Sequence, residues 1–263
     1  MQKDNAINTA ANITLAEEVP TAIEINGISF AVMMLSPHDF ENFVHGFLFT
    51  EGIVDNIHDI HGIDVKTSKL GVTVECELAN RCVQRLQLRV RALKGAGGCG
   101  ICGTQALEQV FPTLSSVMAV NTHISSNKTT VPAKSGHQIN HSLHGLRSRL
   151  DEFQDKAQLS GAMHAAFWLD DMYRVLYCQE DIGRHNALDK LIGLLRQRQT
   201  DVSTGAILIT SRCGAELVHK VVRYGVATLI SLASPSTLAL EMASQYGVRL
   251  IHIPKTDQPR IYG

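Results

Sequence analysis

The runs Ala206-Ile-Leu-Ile-Thr210, Val226-Ala-Thr-Leu-Ile-Ser-Leu232 and Val248-Arg-Leu-Ile-His-Ile253 decide the fold. Each is short and almost continuously apolar, as a strand covered on both faces must be. Between them lie two helical patterns, from about Gly214 to Tyr224 and from Ser236 to Tyr246. Strands alternating with helices at this spacing predict an α/β arrangement, a mostly parallel sheet with right-handed crossovers. Ligands of such sheets bind at the carboxyl ends of the strands. Those ends carry Thr210-Ser211-Arg212, Ala233-Ser234-Pro235-Ser236 and Ile253-Pro254-Lys255, which offer hydroxyls, positive charge and helix N-termini suited to an anion such as phosphate.

Working towards the N-terminus, Gly183 to Arg198 reads as a helix with Ala187, Leu188, Leu191, Ile192 and Leu195 on one face. Ala162 to Leu169 and Tyr173 to Cys178 read as a strand pair joined across Asp170-Asp171. Leu143, Leu146, Leu150 and Phe153 mark an amphipathic helix that ends before Leu159. The first ~95 residues form a smaller α+β unit. In it, a hairpin turns at Asn26-Gly27, a helix starts near Ser36-Pro37-His38-Asp39 and runs to Gly52, and strands cover Gly71 to Leu78 and Arg85 to Leu93. The whole is α+β, with expected divisions at 1–16 (a disordered leader), 17–95 (the N-terminal α+β subdomain), 96–140 (a mobile cysteine loop and linker) and 141–263 (the C-terminal α/β domain).

The balance of 24 Lys and Arg against 25 Asp and Glu gives no concentrated basic field, which argues against nucleic acid or a membrane surface as partner. The polar start, Met1 to Asn12, lacks the apolar core of a secretory signal. No apolar run reaches the ~20 residues of a membrane span. A cytoplasmic location is therefore expected, where paired cysteines are read as redox-active or metal-binding before structural.

The composition changes abruptly at Lys94-Gly-Ala-Gly-Gly-Cys99-Gly-Ile-Cys102-Gly103. Two thiols stand three residues apart among glycines, ahead of a short helical pattern from Thr104 to Phe111. Free amides at that helix start, with Lys94 and Arg91, would favour the thiolate, which is the reactive form. A zinc site needs a second ligand pair, and Cys76 and Cys82 are spaced too widely to supply one, so no metal is expected. A thioredoxin-like dithiol normally follows a strand and runs into a long helix, unlike this loop. Cys178 and Cys213 read as small buried hydrophobes.

Beyond these local readings, the sequence resembles the FdhD family of formate dehydrogenase accessory sulfurtransferases. The likeness rests on Glu17-Glu18-Val19-Pro20, Gly46-Phe47 with Thr50-Glu51-Gly52, the Cys99–Cys102 loop, Gly161-Ala-Met-His164, Glu180-Asp-Ile-Gly-Arg-His-Asn-Ala-Leu-Asp-Lys190, and Arg212 with Glu216 and Lys220. The resemblance implies a cytidine deaminase-like mixed sheet with flanking helices, and a homodimer. It also implies a sulfur carrier that takes a persulfide from a cysteine desulfurase and gives the sulfur to the molybdenum cofactor, a bis-molybdopterin guanine dinucleotide, before insertion into formate dehydrogenase. Cys99 would carry the sulfur, and Cys102 would resolve the persulfide or aid release. The cofactor is a substrate here, with no tightly bound metal of the chain's own. Deamination is not expected, because His164 is followed by Ala165-Ala166 where a deaminase needs a glutamate.

Residues expected to hold the guanine-containing ligand are Ile253, Pro254, Lys255, Thr256, Asp257 and Gln258, with Arg212, His164 and His185. The family usually carries two arginines in the first of these segments, where this chain has Lys255 and Gln258, and Gly214 stands where serine is common. Lysine is a point charge where arginine is a bidentate fork, so the departures point to a divergent paralogue serving another molybdoenzyme. Two other readings stay open: a chaperone that binds and delivers the cofactor without sulfur transfer, and a dithiol redox protein.

Overall fold

The computed structural model describes residues 15–86, 114, 143, 145–255 and 258–262, and the structural statements below concern these. Cys99, Cys102, Thr256 and Asp257 lie outside them, as do the leader as far as residue 14 and most of the expected linker.

The N-terminal sheet has the order β2-β1-β4-β3. Strands β1 (Val19–Ile25) and β2 (Ile28–Leu35) form the hairpin expected at Asn26-Gly27, both of which adopt positive φ, as a tight primed turn requires. Strand β4 (Gly71–Leu78) lies parallel to β1 and antiparallel to β3 (Ile60–Ser68). Strand β3 has no counterpart in the sequence reading. It is a sheet edge whose second half is exposed, so its sequence carries little apolar alternation, and β4 supplies the ladder that holds it. Arg85 and Leu86, expected to begin a strand, instead sit in a helical turn from Val83 to Leu86.

The second sheet has the order β10-β9-β8-β7-β5-β6. Strands β7 (Ala206–Ile209), β8 (Thr228–Ser231) and β9 (Arg249–His252) are parallel neighbours, each within a run quoted above. Strand β5 (His164–Leu169) is antiparallel to both β7 and β6 (Val175–Asp181), and β10 (Arg260–Tyr262) is antiparallel to β9. The sheet is mixed rather than mostly parallel. The β5–β6 pair joins as a hairpin, and only the later strands are separated by helices long enough to make a crossover. Tyr173 adopts positive φ in the hairpin turn, so β6 starts later than expected and runs on to Asp181.

Helices α1 (Phe40–Thr50) and α4 (Arg184–Gln197) cross between the sheets. A Cβ on Gly46 would run into the Asp189 carbonyl, and one on Gly193 into the Asn42 carbonyl, so the backbones touch where each helix has lost its side chain. One continuous core joins Ile23, Ile25 and Val74 of the first sheet, Phe43 and Leu48 of α1, Leu188 and Leu191 of α4, and Ile207, Leu229 and Leu250 of the second sheet. At about 1.5–3 kcal/mol per fully buried aliphatic, this core is the main term holding the two sheets together. Helices α5 (Ala215–Tyr224) and α6 (Thr237–Tyr246) form the crossovers β7–α5–β8 and β8–α6–β9.

The opposite face of the second sheet, through Phe167, Leu208, Ile230 and Ile251, is covered by Leu143, Leu146 and Leu150. The amphipathic helix expected there is broken into α2 (Leu146–Leu150), a 3-10 turn (Asp151–Phe153) and α3 (Asp155–Ser160). The turn shifts the phase after Leu150, which leaves Phe153 43% exposed where helical spacing placed it inside. No helix among the described residues is long and apolar enough to cross a membrane.

Candidate functional site at the carboxyl edge of the second sheet

Strands β6, β7, β8 and β9 all run in one direction, because two antiparallel steps separate β6 from β7 and the rest are parallel. Their carboxyl ends therefore share one edge of the sheet, and the helices that follow β6, β7 and β8 start there. His164, the first residue of antiparallel β5, pairs with Asp181 at the same edge. This edge gathers His164, His185, Arg212, Ile253, Pro254 and Lys255, residues scattered over more than ninety positions of sequence.

The starts of α4 and α5 carry no side chain on their N-cap residues. Their N-cap positions are Gly183 and Gly214, and neither has a side-chain cap, whereas Ser236 caps α6 by accepting from the Ala239 N–H at 3.2 Å. Uncapped first-turn amides and the positive end of the helix dipole favour an anion. Around them stand Arg184, with its side chain 38% exposed, and the exposed Arg212. The acidic group among them is Glu216, whose carboxylate accepts from Arg184 at 3.2 Å and lies 3.6 Å from His185 Nε2. It folds back so closely on Gly214 that a Cβ there would collide with it. The chain's own carboxylate thus occupies the start of α5, and glycine at 214 makes that possible.

The imidazoles at this edge are held neutral. Burial, reinforced by Lys220 and Arg184 and opposed by Glu216 and Glu51, pushes His185 down to about 4. Its Nε2 is buried without a hydrogen-bond partner. Burial and then Arg184 lower His164, and burial, Arg260 and Arg147 lower His252. The positive charge of the edge therefore resides in guanidinium and ammonium groups, which keep it across neutral pH.

Arg147 was not among the residues the sequence singled out. Its Nη2 donates to the carbonyls of Leu232 at 2.6 Å and Ile253 at 2.9 Å, bolting together the carboxyl ends of β8 and β9. The available signal was weak: a basic residue beside the apolar positions Leu146 and Leu150. Ile253 itself is only 6% exposed and faces the lower core, so it presents its already occupied carbonyl rather than its side chain. Pro254, Lys255 and Gln258 follow it, with Lys255 and Gln258 exposed.

The Glu180–Lys190 block divides its labour. Glu180 accepts from the N–H groups of Lys156 at 3.1 Å and Ala157 at 2.8 Å and so caps α3. Asp181, fully buried, accepts from the N–H groups of Gly183 at 2.8 Å and Ser36 at 3.1 Å and pairs with Lys190 at 2.7 Å. Asn186 Nδ2 donates to the Met34 carbonyl at 2.9 Å and to Asp181. Asp189 pairs with Lys220 at 2.7 Å and accepts from the Thr50 hydroxyl at 2.8 Å. These groups tie β2, α1 and α5 to α4, and only Arg184 and His185 of the block's charged or ring side chains reach the edge.

The thiols within the described residues are unsuited to nucleophilic work. Burial pushes Cys76 up to about 12, burial and Glu180 do the same for Cys178, and burial and Glu216 for Cys213. Cys82 is also raised, by burial and then Asp59.

The sequence profile of the FdhD/NarQ family matches residues 16–263. Proteins named sulfur carrier protein FdhD from Bordetella petrii and Cupriavidus necator are 37% and 38% identical to this chain. Each alignment covers 94% of this chain, and 84% and 81% of those proteins respectively. A crystal structure from Desulfotalea psychrophila, of a protein assigned as a formate dehydrogenase accessory protein, superposes with a TM-score of 0.62 at 21% identity, over 94% of this chain and 87% of that one. The profile match over residues 16–263 and the relatives at 37% and 38% identity agree: this chain belongs to the FdhD/NarQ family.

Proposed function

We propose that the chain is a sulfur carrier for a molybdoenzyme of the formate dehydrogenase class, with Cys99 as the carrier. In the loading step the Cys99 thiolate attacks the terminal sulfur of a persulfide on a cysteine desulfurase. A new S–S bond forms on Cys99, the donor's S–S bond breaks, and the donor cysteine leaves as thiolate. In unloading, the Cys102 thiolate attacks Cys99 Sγ, a Cys99–Cys102 disulfide forms as the persulfide S–S bond breaks, and the terminal sulfur leaves as hydrosulfide for the molybdenum cofactor; a cellular thiol reductant then returns the pair to thiols.

The observation that carries this reading is the meeting, at one sheet edge, of two uncapped helix starts with Arg184, Arg212 and Lys255. That arrangement suits the pyrophosphate and guanine-nucleotide ends of a bis-molybdopterin guanine dinucleotide. The acceptor would lie there as substrate, with His164 and His185 as neutral hydrogen-bonding partners. The high-lying thiols of Cys76, Cys178 and Cys213 support assigning transfer to the glycine-loop pair. Work in the cytoplasm and assembly as a homodimer belong to the same proposal.

The test is formate dehydrogenase activity in cells lacking the chain and supplied with variants. Cys99→Ala is expected to abolish the activity, while guanosine diphosphate binding by the purified variant stays intact. Full activity with Cys99→Ala and Cys102→Ala combined, and nucleotide binding intact, would replace the sulfur-carrier reading with a delivery chaperone.

A further inference from the structure

At the opposite end of the second sheet, a cavity of about 510 Å³ opens beside the chain entering β7. Its apolar wall is Ile57, Leu195, Val202 and the Tyr224 ring, and its polar lining includes Arg196 and Thr200. Val202 precedes β7 and Tyr224 precedes β8, so the cavity lies at the amino ends of the parallel strands, away from the carboxyl edge. Its volume falls within the range of small-molecule sites.

The charge around it is unbalanced. Asp55, which also lines the cavity, accepts from Arg223 Nη2 on Oδ1 at 2.9 Å and from Arg85 on its other carboxylate oxygen. Arg196 Nη2 donates only to the Asp55 backbone carbonyl, at 3.0 Å, and Arg196 makes no ion pair among the described residues. Its guanidinium is stacked 3.8 Å from the Phe49 ring centroid, with Arg223 4.9 Å from the same ring. Stacking fixes the plane of Arg196, and its Nε is buried without a hydrogen-bond partner. Burial, with Arg223 nearby and opposed by Tyr224 and Asp55, lowers the Arg196 pKa.

The C-terminal ends of α4 and α5 also face this region, and a helix C-terminus disfavours an anion. Both ends are closed, however. The Thr200 N–H returns to the Leu195 carbonyl at 3.0 Å with Gln199 in the left-handed region, and Gly225 and Val226 return to the Val221 carbonyl. Those last-turn carbonyls are already bonded, which leaves the guanidinium as the cavity's uncompensated group.

We propose that this cavity is a second ligand site, distinct from the carboxyl edge, which takes a small organic anion. A carboxylate or phosphate head is held by Arg196 and Thr200, and an apolar or planar body lies against Leu195, Val202 and Tyr224. The two head groups share the same chemistry at a guanidinium, and binding to this site stands independently of the sulfur-carrier reading.

Methyl-resolved NMR of the full chain, titrated in turn with benzoate, phenyl phosphate and the neutral isostere benzamide, tests it. At least one of the two anions should move the methyl signals of Ile57, Leu195 and Val202 saturably, and the tighter of the two identifies the head group. Benzamide should bind at least about tenfold more weakly than the tighter anion, the scale of a lost charge-assisted hydrogen bond. Arg196→Gln should remove the response, Arg196→Lys should retain part of it, and Tyr224→Leu, which removes the ring, should weaken it severalfold. Should Arg196→Gln not fold, the anion-against-benzamide comparison on the unaltered chain decides. No saturable shift up to about 10 mM of either anion, benzamide binding as tightly as the tighter anion, or shifts confined to carboxyl-edge methyls such as Ile253 would overturn the proposal.

Discussion

The two sides of α4 show how one motif serves two purposes. On the side facing α1, β2 and α5, Asp181, Asn186, Asp189 and Lys190 are at most 5% exposed and spend their polar atoms on one another, on Thr50 and Lys220, and on backbone groups of Met34, Ser36 and Gly183. At the first turn, Arg184 and His185 lie against Glu216 with part of their surface open to solvent. On the inner side these four side chains are buried and paired, whereas the outer side is left incomplete: an uncapped helix start, an imidazole nitrogen without a partner, and a carboxylate folded over its neighbour's backbone. Paired buried groups fix one arrangement. Incompletely paired groups at an accessible edge are what a ligand can satisfy.

If that division is right, damage on the inner side should cost stability and damage on the outer side should change binding. Lys190→Met strands the Asp181 carboxylate and should lower unfolding free energy by about 3–5 kcal/mol in denaturant titrations. Replacing both partners by apolar residues should not restore it, since Asp181 also serves the Ser36 and Gly183 amides and Asn186. Recovery of the double variant to near wild-type stability would show that the pair is not embedded in a network. Gly46→Ala forces a methyl into the Asp189 carbonyl across the α1–α4 contact and should cost about 2–3 kcal/mol. A loss of under about 0.5 kcal/mol, the usual range for an unremarkable surface change, would mean that the helices can separate freely.

His185 stands at the boundary between the two sides, and its effect reads out in pH. Its pKa falls from 6.5 to about 4 on folding, so the unfolded chain binds more protons between these values. Stability from this group is full above about 6.5 and is lost as pH falls towards 4, by roughly 1–3 kcal/mol. His185→Phe should flatten that part of the pH–stability curve, leaving the smaller slopes due to His164 and His252. An unchanged slope would show that His185 is not held neutral. The smallest effect is expected at Glu216. Glu216→Gln removes the carboxylate from the start of α5, so guanosine diphosphate should bind a few-fold more tightly, about 1 kcal/mol, with a stronger salt dependence. Weaker binding would mean that Glu216 orients the ligand rather than competing with it.

The sequence was most informative where burial is uniform. Strands β7, β8 and β9 are apolar on both faces, and the loops at their carboxyl ends were identified with them. Strand β3 escaped because its exposed second half, Asp64 to Ser68, carries no such pattern and is defined by pairing with β4. In α4 the apolar stripe Ala187–Leu195 was evident, but nothing local marked Asp189 and Lys190 as buried. Their burial depends on Thr50, Lys220 and Asp181, which arrive from three other elements. Arg147 was passed over because nothing local requires it; its partners are the ends of two strands more than eighty residues away.

The account's central claim is that sulfur travels on Cys99, and intact-mass spectrometry tests it most directly. After incubation with a cysteine desulfurase and cysteine, the protein should gain about 32 Da, one sulfur atom, located on the peptide containing Cys99 and removed by a thiol reductant. The same gain on Cys99→Ala, or no gain on the unaltered chain, would contradict it.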